Sequence, residues 1–235
     1  MTIAAVLLKL LEDIQFSDEI RLKLKEVIDS AIEVTSNPRD EIDGNQKLLH
    51  ATLIIAFEKT QELYGESGAK DLHHMPVFLN QSQSQIVWEK DNPDKSILGI
   101  GNCARSWEEV FYDICHESLH LLNPATNVID DDTYVSALEE GCAVKFAEQM
   151  YDRYIKPTCD KIPLTSPTRA PSSQYFLAYS AARKIPDDVL KVVRSVFGKF
   201  SNINDCKKFS ELVDKYVSDI EINELIKPFS YKRKK

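Results

Sequence analysis

The chain has no run of roughly 18 or more apolar residues, so no stretch of it is long enough to cross a bilayer as a helix. It has no excess of positive charge. Its 29 Lys and Arg against 37 Asp and Glu leave a net charge of −8, which argues against nucleic acid as a main partner. The one basic run, Tyr231 to Lys235, is expected to be a solvated tail. There is no Cys-x-x-Cys pair. The five cysteines, Cys103, Cys115, Cys142, Cys159 and Cys206, are an odd number in a chain that is not small. That argues for free thiols in a reducing compartment, and the cytoplasm is the expected location. The apolar start, Met1 to Phe16, lacks a basic leading segment and a small-residue cleavage site. It carries Lys9, Glu12 and Asp13 at helical spacing, so it reads as an amphipathic helix and not a signal peptide. No internal repeat is visible.

What is present is an ordinary composition, 43% hydrophobic and 28% charged over 235 residues, enough to bury a sizeable core. One stretch organises it: Ser106 to Pro124, which contains His116-Glu117-Ser118-Leu119-His120, the pattern His-Glu-x-x-His. Ser106 with Glu109 three residues on is a capping-box pattern, and Asn123-Pro124 ends the helix it starts. Trp107, Val110, Phe111, Ile114, Leu121 and Leu122 share one side of that helix; Glu109, Asp113, His116 and His120 share the other. Residues four apart stand about 6 Å apart on one face. Two imidazoles so placed can hold one metal ion, and Glu117, beside the first, can reach a water on it.

The rest of the chain frames this helix. Residues 2–34 read as two helices broken near Phe16-Ser17, and 46–64 as a third, with His50 in it as a packed or surface histidine. Residues 69–75 read as a polar connection, where His73 and His74 diverge and are read as surface residues. Short β-rich runs follow: Pro76 to Asn80, Gln85 to Glu89, and Ser96 to Gly101, with Gly99 and Gly101 leaving room for another backbone. Asn127 to Ile129 is a further extended run. Asp130-Asp131-Asp132-Thr133 is expected to open a long helix over 133–155, with Lys145, Glu148, Gln149 and Asp152 on its polar side. Residues 156–173 hold four prolines and read as a surface linker or a loop bordering a cleft. Helices fill the remainder. The expected fold class is therefore α+β, predominantly helical, with a small antiparallel sheet beside the central helix. A single domain over 1–235 is expected, with an N-terminal helical part (1–70), a sheet and metal-site part (71–155) and a C-terminal helical part (156–235).

In the long helix, Glu140 falls among Ala143, Val144, Ala147 and Tyr151, and Glu139 at the margin of that apolar side. A buried carboxylate needs a partner. A salt bridge or backbone contact is one; a cation shared with His116 and His120 is the other, and Glu140 is the preferred third ligand.

Together, His116-Glu117-x-x-His120 and Glu140-Gly141-x-Ala143 resemble the gluzincin group of zinc metallopeptidases. The resemblance covers about residues 96–150. It implies a zincin-like fold, Zn2+ held by His116, His120 and Glu140, and a peptide or protein substrate. Glu117 would then be the general base that takes a proton from water and hands it to the leaving amine. The strand Ile97 to Gly101 would line the cleft and pair with an extended peptide. Some members carry an aspartate four residues after the third ligand to orient a histidine. Here that place is Val144, so Asp113 or a backbone carbonyl is the expected substitute. Tyr175 and Tyr179 are the candidate oxyanion stabilisers. Cys115 and Cys142 flank the ligands and read as small buried residues. Two other readings stand beside this one. One is a catalytically inactive or regulatory zincin-like binding protein with structural zinc, closed by a fourth ligand such as Cys142 or Glu139. The other is a helical interaction protein with no metal.

Overall fold

A computed structural model describes residues 2–69, 71–89, 92–124 and 135–230. Two short helices, α1 (Ile3–Asp13) and α2 (Asp18–Asp29), are separated by the extended residues before Ser17, whose hydroxyl caps α2. The long α3 (Asp43–Tyr64) follows, starting three residues earlier than expected. Then come four strands, β1 (Asp71–Leu72), β2 (Val77–Phe78), β3 (Gln85–Glu89) and β4 (Asn92–Ile100). The central helix α4 (Trp107–His120) runs directly from the sheet, and α5 (Ala137–Met150) packs beside it. A π-helical turn (Tyr151–Ile155) extends α5. The chain ends with α6 (Gln174–Ala182), α7 (Asp187–Phe197), α8 (Cys206–Val213) and α9 (Asp219–Leu225).

The class is α+β, but the sheet is not the antiparallel one expected. Both β1 and β2 run parallel to β4; only β3 is antiparallel to it. Gly99 pairs with Gln85 on one edge and Val77 on the other, and Ser96 pairs with Trp88 and Leu72. Hence β1 and β2 lie end to end along one edge of β4, and β3 takes the other. The reason lies in the loop Leu79 to Ser84, which crosses the end of β4 instead of folding back as a hairpin. A Cβ on Gly101 would stand 2.5 Å from the backbone of Ser82 and Gln83, so only glycine admits that crossing. Asn102 N–H donates to Gln81 O at 2.7 Å to fix it. β4 starts at Asn92, earlier than the expected run from Ser96, and β1 falls in the expected polar connection 69–75.

α4 begins as its sequence demands. Ser106 Oγ accepts from Glu109 N–H, and the Glu109 carboxylate accepts from Ser106 N–H, closing the capping box. The expected apolar side is buried, from Trp107 to Leu122. Asp113, on the opposite side, is buried as well, under the loop before β3 and the segment around Thr165, and Glu117 is also buried. α5 is likewise buried along nearly its whole length, with Gln149 exposed. Lys145, expected on a polar side, is buried against Asp187 at 2.7 Å, and Glu148 accepts from the Tyr112 hydroxyl at 2.8 Å. The expected start of this helix at 133 is displaced: Ser136 is the cap and Ala137 the first residue. Asp130 to Asp132, the run Asn127 to Ile129 and the basic end Tyr231 to Lys235 lie outside the described residues. Buried apolar side chains from Ile3 in α1 to Leu225 in α9 form one continuous cluster.

Candidate metal centre

Three side chains converge where α4 and α5 cross. His116 Nε2 lies 3.4 Å from Glu140 Oε2, and His120 Nε2 lies 3.6 Å from Glu140 Oε1. One ligand atom from each of the three residues stands within 4.8 Å of the others. Such nitrogen–oxygen gaps are long for a hydrogen bond. Two atoms bound at about 2.0–2.1 Å to one tetrahedral ion stand about 3.3–3.4 Å apart, which is close to what is seen. Two imidazoles and a carboxylate are donors that suit a divalent ion. His116, His120 and Glu140 therefore form a group that can hold a metal ion. Glu140 is only 2% exposed, and the two histidines are partly open to the surface.

Electrostatics bind the group together. Burial raises the Glu117 carboxyl to about 6; Glu140 and Asp113 add to the rise, and the two histidines oppose it. For His120, burial alone would lower the imidazole. The charge of Glu140, the hydrogen bond that His120 donates to Glu139 and the charge of Glu117 outweigh it and raise the ring to about 10.

The other expected residues divide. Glu139 is not among the group's ligands. Its Oε1 lies 3.0 Å from His120 Nδ1, on the far side of the ring from Glu140, and its Oε2 accepts from the Ser201 hydroxyl. Asp113 does not orient a histidine by hydrogen bonding. Its carboxylate is held by the hydroxyls of Ser84 and Thr165, which tie the loop before β3 and the proline-rich segment onto α4. That segment, 156–173, is thus docked on the helices and is no free linker; Ser166 donates to Glu148 as well. Tyr175 stands beside the centre, its ring 6.5 Å from that of His116 and 4.7 Å from Phe229. Burial and the charges of Glu140 and Glu117 hold its hydroxyl firmly protonated. Tyr179 packs instead against Phe176 and Arg183. Cys115 and Cys142 are wholly buried with thiol pKa values pushed up by burial, so both are core residues. His50, His73 and His74 line a separate cleft with Asp71 and Lys95.

Gly141 is what lets the second half of the site assemble. A Cβ there would stand 2.6 Å from Ala178 O, so α5 and α6 meet backbone to backbone at this point. Tyr175, one turn before Ala178, is thereby brought towards His116. Sequence reasoning missed Arg194. Its guanidinium is buried and donates to Tyr64 O, Glu66 O and Leu122 O at 3.1, 2.8 and 3.2 Å, pinning the end of α4 to the end of α3. Missed too were Ser201 and Phe229; nothing near them in sequence signals the site.

Comparison with family models, with curated proteins and with solved structures finds no match to this chain. No helix among the described residues is long and apolar enough to cross a membrane.

Proposed function

We propose that this chain is a zinc-dependent metallopeptidase of gluzincin type, acting on peptide bonds. The observation that carries the reading is the convergence of His116, His120 and Glu140 with the buried Glu117 between the two histidines on the same helix. The donor set, two imidazoles and one carboxylate, is that of hydrolytic zinc sites, with a position left for solvent or substrate. Held there by His116, His120 and Glu140, zinc would supply a Lewis acid that lowers the pKa of water and polarises a carbonyl. Glu117 takes the proton from the attacking water and passes it to the departing amine. Burial raises this carboxyl to about 6 in the metal-free protein, and a dication beside it would draw it back towards the charged form that accepts a proton. Tyr175, kept protonated, is the hydrogen-bond donor to the carbonyl oxygen as charge develops on it.

The peptide is not carried by β4, because both of its edges are taken. Among the described residues β3 pairs with β4 alone, so its other edge is the one to which an extended peptide adds. Ser84, just before β3, is bonded to Asp113 one turn before His116, and this tie between the start of β3 and α4 supports the reading.

A structural zinc site needs a fourth protein ligand. Glu139 is engaged by His120 and Ser201, and Cys142 lies in the core outside the group, so neither supports a closed four-ligand structural site. The test is Glu117→Gln, assayed on a mixed peptide library with zinc content measured in parallel. Retained zinc with hydrolysis lost supports the reading; unchanged turnover excludes it.

A further inference from the structure

Three helices here begin at a serine followed three residues later by a glutamate: Ser106 and Glu109 at α4, Ser136 and Glu139 at α5, Ser218 and Glu221 at α9. In α4 and α9 the box closes, with the glutamate carboxylate accepting from the serine N–H. In α5 only half of it forms. Ser136 Oγ accepts from Glu139 N–H at 3.1 Å, but the Ser136 N–H donates to Ser201 Oγ at 3.0 Å. The Ser136 hydroxyl in turn donates to Phe200 O at 3.1 Å. With its usual donor occupied, the Glu139 carboxylate turns the other way. One oxygen meets His120 Nδ1 and the other accepts from the Ser201 hydroxyl. Ser136, Glu139 and Ser201 are all buried.

We propose that Glu139 is the positioning carboxylate of the metal centre, and that Ser201 places it there by taking the N–H that would otherwise hold it in a capping box. This rests on the zinc reading above. A carboxylate on the far nitrogen of a ligating imidazole fixes the ring and leaves the near nitrogen to the metal. Here the near nitrogen, Nε2, faces Glu140. The role that an aspartate after the third ligand plays elsewhere is filled by the residue before it. The turn Phe200–Asn202 supplies no ligand, yet it builds the site.

The device has a diagnostic consequence. Without the Ser201 hydroxyl, Glu139 can fold back onto its own cap, exchanging one set of hydrogen bonds for another. Ser201→Ala should therefore loosen the metal centre while the fold melts within a few degrees of wild type. Two readouts decide it. One is zinc affinity, by competition with a chromogenic chelator. The other is the imidazole N–H proton of His120 in 15N-labelled, metal-free protein. Wild type should show a downfield, slowly exchanging His120 Nδ1–H signal. Glu139→Ala and Ser201→Ala should both lose it. Zinc binding should weaken by about 10–100-fold in Glu139→Ala and by about 10-fold in Ser201→Ala. Retention of the signal and of wild-type affinity in both variants overturns the proposal. Should Glu139→Ala fail to fold, Ser201→Ala decides it alone. If wild type binds no zinc, the zinc reading falls and the role at a metal centre falls with it; loss of the signal in both variants then leaves Glu139 and Ser201 only as the groups that orient the His120 ring.

Discussion

Glu139 and Glu140 are neighbours in sequence with different surroundings, and the contrast shows what a side chain owes to its environment. Glu140 faces both imidazoles, while Glu139 reaches behind one of them. A helical wheel places Glu140 on the buried side and so marks it as a ligand candidate. The same wheel puts Glu139 only at the margin of that side and does not give its role behind His120, because Ser201 arrives from a distant turn and periodicity carries no information about it. Glu117 was legible from its place in the motif, and its chemistry is now quantifiable. On the proposed mechanism, replacing it by Gln removes the proton acceptor and should lower kcat/KM by about 10²–10⁴-fold with zinc retained. Burial raises its carboxyl to about 6 in the metal-free protein, and a nearby dication opposes that rise. The acidic limb of the kcat/KM profile should thus fall at or below about pH 6; a limb well above pH 7 would assign the titration to another group.

At the scale of elements, two contacts set the site and each can be tested separately. The first is the α5–α6 crossing at Gly141. Ala there must push α6 away, at a cost of about 1–3 kcal/mol, and carry Tyr175 from His116. Gly141→Ala should lower both the melting temperature and turnover, while zinc binding falls less, since no ligand sits on α6. The second is Asp113, which anchors two loops to α4. Burial is the largest influence on it and raises its pKa above 3.8, the hydroxyls of Ser84 and Thr165 opposing this. Its contribution to stability is therefore fully present below 3.8 and is lost as pH rises through the raised value. Asp113→Asn should flatten that part of the stability–pH curve, as read by denaturant unfolding across the acidic range. The helices of this region were legible from caps and apolar stripes, α4 most of all. The sheet was not. Strand composition marks β3 well, but which edge each strand takes depends on a loop crossing over Gly101, a long-range contact that local pattern does not encode.

Over the whole molecule, the α1–α3 helices and the α7–α9 helices close on α4 and α5 through one apolar cluster. Arg194 and Ser201, both from the C-terminal part, fasten the ends of the two ligand-bearing helices. A metal ion held between α4 and α5 is then coupled to the stability of the entire fold. Zinc at 100 times its Kd should add about 2.7 kcal/mol to the unfolding free energy. That corresponds to a rise of about 5–10 °C in Tm for a chain of this size, reversed by chelator. Equal melting with and without zinc would detach the centre from the fold. The most direct test of the central claim is an anomalous difference map at the zinc edge from crystals grown with zinc. A single peak about 2.0–2.2 Å from His116 Nε2, His120 Nε2 and a Glu140 oxygen, with one position left to solvent, is the predicted result. No peak at this place, or one bound through Glu139 or Cys142, would contradict it.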